Sequence, residues 1–272
     1  MTVHQPLEIH VGPLAFTGFG LAVLMAFIVA QFVAETELER RGHRYDYIGD
    51  LVLAAVIGGL LGAKIYYVIL TRDISNLISR GGFVFWGGLI GGILSVSLTV
   101  RARKLPFWRI TDVAAMGIAA AYSVGRTGCW AVGDDYGRPW DSIFAVSFPQ
   151  GAPASTAANM EKLFGVAIPA GALPSTVLSV YPTQLFEVAL GFVMFLILFR
   201  LRDHKHADGW LFGVYMVLAG AERFVIEFFR AKDDRLIAGM TVAQVIAVLF
   251  VIGGMLWMRA RSEPKQKPRA AQ

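Results

Sequence analysis

Residues 125–139 read GRTGCWAVGDDYGRP. The stretch begins inside an apolar run and leaves it through a polar loop. It sets the permanent cation Arg126 where hydrocarbon penalises it, three residues before Cys129, the only cysteine of the chain. An arginine at the bilayer centre costs about 2.5–3.5 kcal/mol on insertion scales, so it needs protein, water or a counter-ion beside it. Arg126 falls toward one end of its run, where snorkelling relieves part of that penalty. Asp134 and Asp135 then mark the point at which the chain leaves the membrane. The rest of the sequence agrees with a membrane reading: of 272 residues 56% are hydrophobic and 17% charged, with a mean hydropathy of +0.56.

Apolar stretches of about 20 residues, long enough to span hydrocarbon, occur at roughly 14–34, 48–71, 82–100, 112–132, 182–199, 209–229 and 236–258. They predict an all-α polytopic membrane protein of seven transmembrane helices, one membrane domain over 1–272. The segment 133–180, rich in Gly, Pro, Ser and Ala, is expected to form a small extracytoplasmic head between spans four and five, and 259–272 a basic cytoplasmic tail. Orientation follows from the basic residues. With the N-terminus outside, the inner loops and tail hold fifteen: Arg40, Arg41, Arg44, Arg101, Arg103, Lys104, Arg109, Arg200, Arg202, Lys205, Arg259, Arg261, Lys265, Lys267 and Arg269. The outer side holds seven: Arg72, Arg80, Arg138, Lys162, Arg230, Lys232 and Arg235. The net charge of +5 is thus a topology signal facing anionic lipid rather than a nucleic-acid footprint. MTVHQPLEIHVGP at the start lacks the basic region of a cleavable signal peptide. One cysteine excludes an intrachain disulfide.

Charge inside the spans singles out residues. Arg223 and Glu227 stand i,i+4 on the sixth span, and Arg230 follows on nearly the same face. Such a stripe can be a structural ion pair. With Arg126 added, the arginines need more anion than one stripe supplies, and a ligand phosphate suits their forked donors. In the third span, Gly87 with Gly91 and Gly88 with Gly92 form overlapping GxxxG patterns, and Gly58 with Gly62 repeats the pattern in the second. These glycines read either as helix-packing sites or as the edge of a ligand site. YPTQLFE opens the fifth span, with Pro182 suited to a first helical turn and Gln184 and Glu187 on one face.

Four pieces, FWGGLIGG (85–92), GRTGCWAVGDDYGRP (125–139), YPTQLFE (181–187) and ERFVIEFFR (222–230), resemble in order and spacing the bacterial prolipoprotein diacylglyceryl transferases. That family moves a diacylglyceryl group from phosphatidylglycerol to the lipobox cysteine thiol of a prolipoprotein and releases glycerol phosphate. The resemblance implies location in the bacterial cytoplasmic membrane, a lateral opening for lipid, and as partners phosphatidylglycerol, the prolipoprotein signal peptide and membrane lipids, with no nucleic acid. It implies Arg126 and Arg223 as the essential arginines and Gly137 as an essential glycine. Asp134 takes the position of the family's usual glutamate. Trp86, Gly87, Gly88, Cys129, Gly137, Gln184 and Glu187 are expected to bind substrate; Arg126, Arg223, Asp134 and Glu227 are expected to be catalytic. The departures are plain: the family's FHGG histidine is Trp86, its GRxGNF asparagine is Cys129, its first-span YG pair is Phe19-Gly20, and its HPSQLYE histidine is Tyr181.

All five histidines lie outside these motifs, so a histidine base is not available there. Sulfur needs one less than oxygen does, because a thiol pKa of about 8.5 leaves a few per cent thiolate near neutrality. Asp134, Glu227 or Glu187 accepts the proton if burial raises its pKa. Cys129, i,i+3 from Arg126, is either a nucleophile that carries the diacylglyceryl group in transit or a small filler. Two other functions stay open: a non-catalytic lipid-binding relative, and a transporter or scramblase of an anionic lipid. No metal-ligand spacing, nucleotide loop or cofactor motif is present in the sequence.

Overall fold

Each of the seven apolar stretches is helical in the computed structural model, which describes residues 2–12, 14–79, 82–232, 235–237 and 239–263. Arg80 and the tail beyond Glu263, with Lys265, Lys267 and Arg269, lie outside the described residues. The helices are α1 (Gly18–Arg40), α2 (Ile48–Thr71), α3 (Phe85–Ala102), α4 (Phe107–Val132), the short α5 (Ala157–Phe164), α6 (Thr183–Leu201), α7 (Trp210–Ile226) and α8 (Val242–Ala260). Five of them, α1, α2, α3, α6 and α8, are long and apolar enough to cross a membrane. The two long helices outside that set, α4 and α7, carry Arg126, Glu222 and Arg223.

Among the described residues the protein is mostly helical rather than all-α, because seven short strands occupy its connections. They are β1 (Thr2–Val3), β2 (Glu8–Val11), β3 (Leu14–Thr17), β4 (Val146–Ser147), β5 (Ser179–Val180), β6 (Arg235–Ile237) and β7 (Met240–Thr241). The strands account for two shifted boundaries. Residues 14–17 pair with β2 in an antiparallel hairpin, so α1 starts at Gly18. Strands β6 and β7 pair antiparallel, and Thr241 then starts α8 with a reciprocal capping box to Gln244.

Two compact units are distinguished, residues 31–113 and residues 1–30 with 114–272. In the first, α2 and α3 meet through their glycines. A Cβ on Gly62 would run into the carbonyl oxygen of Gly87, and one on Gly91 into that of Gly58. Such close approach substitutes van der Waals packing for the hydrophobic driving force that lipid removes. Ser95 Oγ donates to Ala54 O at 2.5 Å across the same seam. The intramembrane Lys64 is buried, and its ammonium donates to Asn76 O (3.3 Å) and Ser79 O (2.5 Å) while sitting 4.6 Å from the Phe83 ring centre. The loop after α2 thereby satisfies a charge that hydrocarbon cannot.

In the second unit, Ser123 Oγ of α4 donates to Val188 O of α6 at 2.8 Å, and Gly220 of α7 lies against Ala247 and Val251 of α8. Segment 133–180 has a core of its own: Tyr136, Val146, Phe148, Ala157, Met160, Val166, Leu178 and Val180, joined by Ala231. Its sheet has β4 in the middle, parallel to β1 and antiparallel to β5. Phe148 is fully buried and stacks on Tyr136, with ring centres 5.2 Å apart. Tyr136 Oη donates to Pro153 O at 2.7 Å.

Candidate active site

The second unit gathers its polar residues at the ends of three helices. On α4, Tyr122, Arg126 and Cys129 follow at helical spacing; α6 presents Gln184 and Glu187 from its first turns; α7 and the turn after it present Glu222, Arg223, Glu227 and Arg230. The chain leaves α4 through Gly133 (φ 71°), Asp134 and Asp135 (φ 54°). Asp135 is one of few non-glycine residues here in left-handed backbone, a conformation Asp tolerates better than most. The start of α6 holds that turn in position: Gln184 Nε2 donates to Asp134 O at 2.5 Å and Thr183 Oγ1 to Asp135 O at 2.7 Å.

Glu187 is the hub. Its side chain is 0% exposed, and its Oε1 lies 3.0 Å from Arg126, 3.9 Å from Arg223, 3.9 Å from Arg230 and 3.2 Å from Tyr122 Oη. Asp135 bridges two of the arginines, taking Arg126 at 2.8 Å on one oxygen and Arg230 at 2.7 Å on the other. Arg223 pairs with Glu227 at 2.7 Å, as the i,i+4 spacing predicts. The guanidinium of Arg126 also lies 5.2 Å from the Tyr122 ring centre. The anion beyond the α7 stripe comes here from Glu187 and Asp135, on α6 and in the turn after α4. Inside this network Arg223 Nη1, Glu187 Oε2 and both carboxylate oxygens of Glu227 are buried with no hydrogen-bond partner.

Asp134 and Cys129 stand beside the network. Arg126 Nη1 lies 3.6 Å from Cys129 Sγ, and one ligand atom each of Cys129, Asp134 and Asp135 falls within 4.8 Å of the others. With both Asp135 oxygens committed to arginine, that trio offers a cation little. Asp134 Oδ1 is buried without a hydrogen-bond partner. Burial, then the charge of Asp135, pushes the Asp134 carboxyl up to about 6. Asp135 moves the other way: burial opposes its ionisation, but Arg230 and Arg126 outweigh it and hold it below the ordinary carboxylate range.

Gly137 is explained by backbone contact. Its N–H donates to Tyr181 O at 2.8 Å, and an added Cβ would meet Phe229 O, Tyr181 Cβ and Thr183 Cγ2. Of the expected substrate-binding residues, Cys129, Gly137, Gln184 and Glu187 thus gather with Arg126, Arg223, Asp134 and Glu227 in one unit. Trp86, Gly87 and Gly88 belong to the unit of residues 31–113. There Gly87 packs against Gly62 and Tyr66, and the Trp86 ring is 46% exposed and edges onto Phe85. Tyr122, Asp135, Glu222 and Arg230 join the cluster without being among the expected site residues. The spacing of Tyr122 one turn before Arg126 was the available signal.

The fold and this arginine–carboxylate centre define a mostly helical protein with membrane-length apolar helices and a buried charged cluster. The family model for prolipoprotein diacylglyceryl transferase matches residues 6–260, and the chain belongs to that family. Similar proteins are the phosphatidylglycerol–prolipoprotein diacylglyceryl transferases of Clostridium tetani (25% identical over 259 residues, 92% of this chain and 95% of the relative) and Paraburkholderia xenovorans (30% over 307 residues, 100% of each). That of Geobacter sulfurreducens is 30% identical over 265 residues, 92% of each chain.

Proposed function

We propose that this chain transfers the diacylglyceryl group of phosphatidylglycerol to the cysteine thiol of a prolipoprotein. Membership of the family supports the reaction, and the names of the similar proteins support donor and acceptor. The observation that carries it is the meeting of Arg126 and Arg223, from α4 and α7, at Glu187, with Arg223 Nη1, 3.9 Å from that carboxylate, buried and making no hydrogen bond. A headgroup phosphate supplies the acceptor that this buried donor lacks.

In the reaction the cysteine sulfur attacks the glycerol carbon that bears the phosphate. A C–S bond forms, the C–O bond breaks, and its electron pair goes to the phosphate oxygen. Arg126, Arg223 and Arg230 stabilise the charge gathering on the departing phosphate, the kind of fixed electrostatics that often contributes most to catalysis. Asp134 takes the thiol proton; its raised pKa makes it a better base at neutral pH than an ordinary carboxylate. Gly137 and Gln184 hold the turn that carries it. Glu227 keeps Arg223 oriented.

The wider setting follows from the same reading: seven crossings of the bacterial cytoplasmic membrane, including α4 and α7, with the N-terminus and 133–180 outside and the basic 259–272 tail in the cytoplasm. The test is purified protein with phosphatidylglycerol and a lipobox peptide. Thioether product with release of glycerol phosphate, both lost in Arg126→Ala and Arg223→Ala, supports transfer. Lipid binding without product makes the chain a lipid-binding relative, and lipid counterflow in vesicles makes it a transporter.

A further inference from the structure

The network contains a proton that its geometry requires. Tyr122 Oη lies 3.2 Å from Glu187 Oε1 and 3.0 Å from Glu222 Oε1. A phenol has one hydrogen to donate, so it cannot satisfy two ionised carboxylates. One of the two carboxyls must carry a proton and donate it to the tyrosine oxygen. Glu187 faces Arg126, Arg223 and Arg230, whereas Glu222 forms no ion pair among the described residues. The proton therefore belongs to Glu222, and the chain of donors runs Glu222 to Tyr122 to Glu187.

We propose that Tyr122 and Glu222 are positioning residues that make the arginines available to the lipid headgroup by passing this proton to Glu187. The inference rests on the transfer reaction above. When the phosphate enters, the Glu222 proton moves to the Tyr122 oxygen as the Tyr122 hydroxyl proton moves to Glu187. Glu187 becomes a neutral acid and releases its hold on the arginines, and the negative charge it carried now sits on Glu222. No proton is taken from or given to water. The other titratable groups around this chain, Asp135, Glu227 and, on α7, Tyr215, keep their states: Asp135 and Glu227 retain their own arginine contacts. Without such a transfer, an incoming phosphate and an ionised Glu187 compete for the same guanidinium groups, which is costly in a low-dielectric site.

Calorimetry of phosphatidylglycerol binding, run in buffers of different ionisation enthalpy at about pH 8, reads the proton count directly. Wild-type protein is expected to bind with no net proton uptake. Glu222→Gln keeps a donor for the tyrosine oxygen but has no proton to give, so it should take up about one proton per lipid and lose affinity about tenfold for each unit rise in pH. Tyr122→Phe should leave the proton count unchanged and slow headgroup binding. Infrared difference spectra of wild-type protein with 13C-labelled glutamate give a readout that needs no variant: on lipid binding the carboxylic-acid C=O band should shift without gaining or losing intensity. Equal proton uptake in wild type and Glu222→Gln, or a new carboxylic-acid band in the wild type, overturns the relay while leaving the transfer reaction intact. Failure of wild-type protein to bind phosphatidylglycerol at all overturns the donor assignment, and the relay with it.

Discussion

At Arg126 a single side chain joins two acids from different parts of the fold, Asp135 and Glu187. Truncation to alanine leaves the buried Glu187 and the partly exposed Asp135 with fewer counter-ions, and breaking a buried pair such as Arg126–Glu187 costs about 3–5 kcal/mol. Arg126→Ala should therefore lower thermal stability as well as abolish turnover, and Arg126→Lys should recover stability better than activity because lysine lacks the planar fork. Asp134 separates the two effects by pH. Its folded pKa is raised, from 3.8 to about 6, so it stabilises the fold at the acid end, and that contribution disappears as pH climbs through about 6. Its activity runs in the opposite sense: the carboxylate that accepts the thiol proton exists above that pH. A rate profile falling below about pH 6 in the wild type and flat in Asp134→Asn is the expected result; an unchanged acid limb in the variant assigns the base elsewhere. The charges themselves were legible in the sequence, since an arginine in an apolar run is conspicuous. Their saturation was not, because Asp135 and Glu187 reach Arg126 from turns and helices that periodicity does not connect.

Among the elements, the helices were easy to read and the strands were not. A run of about 20 apolar residues declares itself, and α2 begins and ends where its run does. Strands of two to four residues, such as β1 and β4, are too short for alternation to register. The Gly and Pro content of segment 133–180 leads the sequence reading to expect an insertion there, but says nothing of its core, with Phe148 and Met160 fully buried, which rests on apolar residues scattered too widely to form a pattern. The GxxxG motifs held what they promised. Gly62→Val puts a branched side chain against the Gly87 carbonyl, and overpacking of this kind costs about 1–3 kcal/mol or more. Its expected signature is a lower melting temperature with KM for lipid unchanged in the protein that remains folded.

At the scale of the molecule, five helices among the described residues are long and apolar enough to cross a membrane, and the proposed topology asks α4 and α7 to cross as well. Those two are the helices from which the arginines project. Of the two, α4 is the less apolar, whereas α7 is as apolar as the spanning helices and only shorter, at 17 residues. The lone Cys129 simplifies a topology map, because Cys129→Ser gives a background without thiols. In that background a cysteine replacing Lys162 should react with a membrane-impermeant reagent in intact cells, and one replacing Lys205 only after permeabilisation. The reverse pattern inverts the orientation read from the basic loops. Cys129→Asn, which restores the family's residue, should retain or raise turnover if the thiol only fills space, and should abolish it if sulfur carries the lipid in transit.

The lysine tucked beneath the loop after α2 offers a use of its own. Because its nitrogen is occupied by the carbonyls of Asn76 and Ser79, acylating reagents should spare Lys64 while they mark lysines on exposed loops. Mass-spectrometric detection of a modified Lys64 would then time the excursions of that segment, an intrinsic stopwatch requiring no added label.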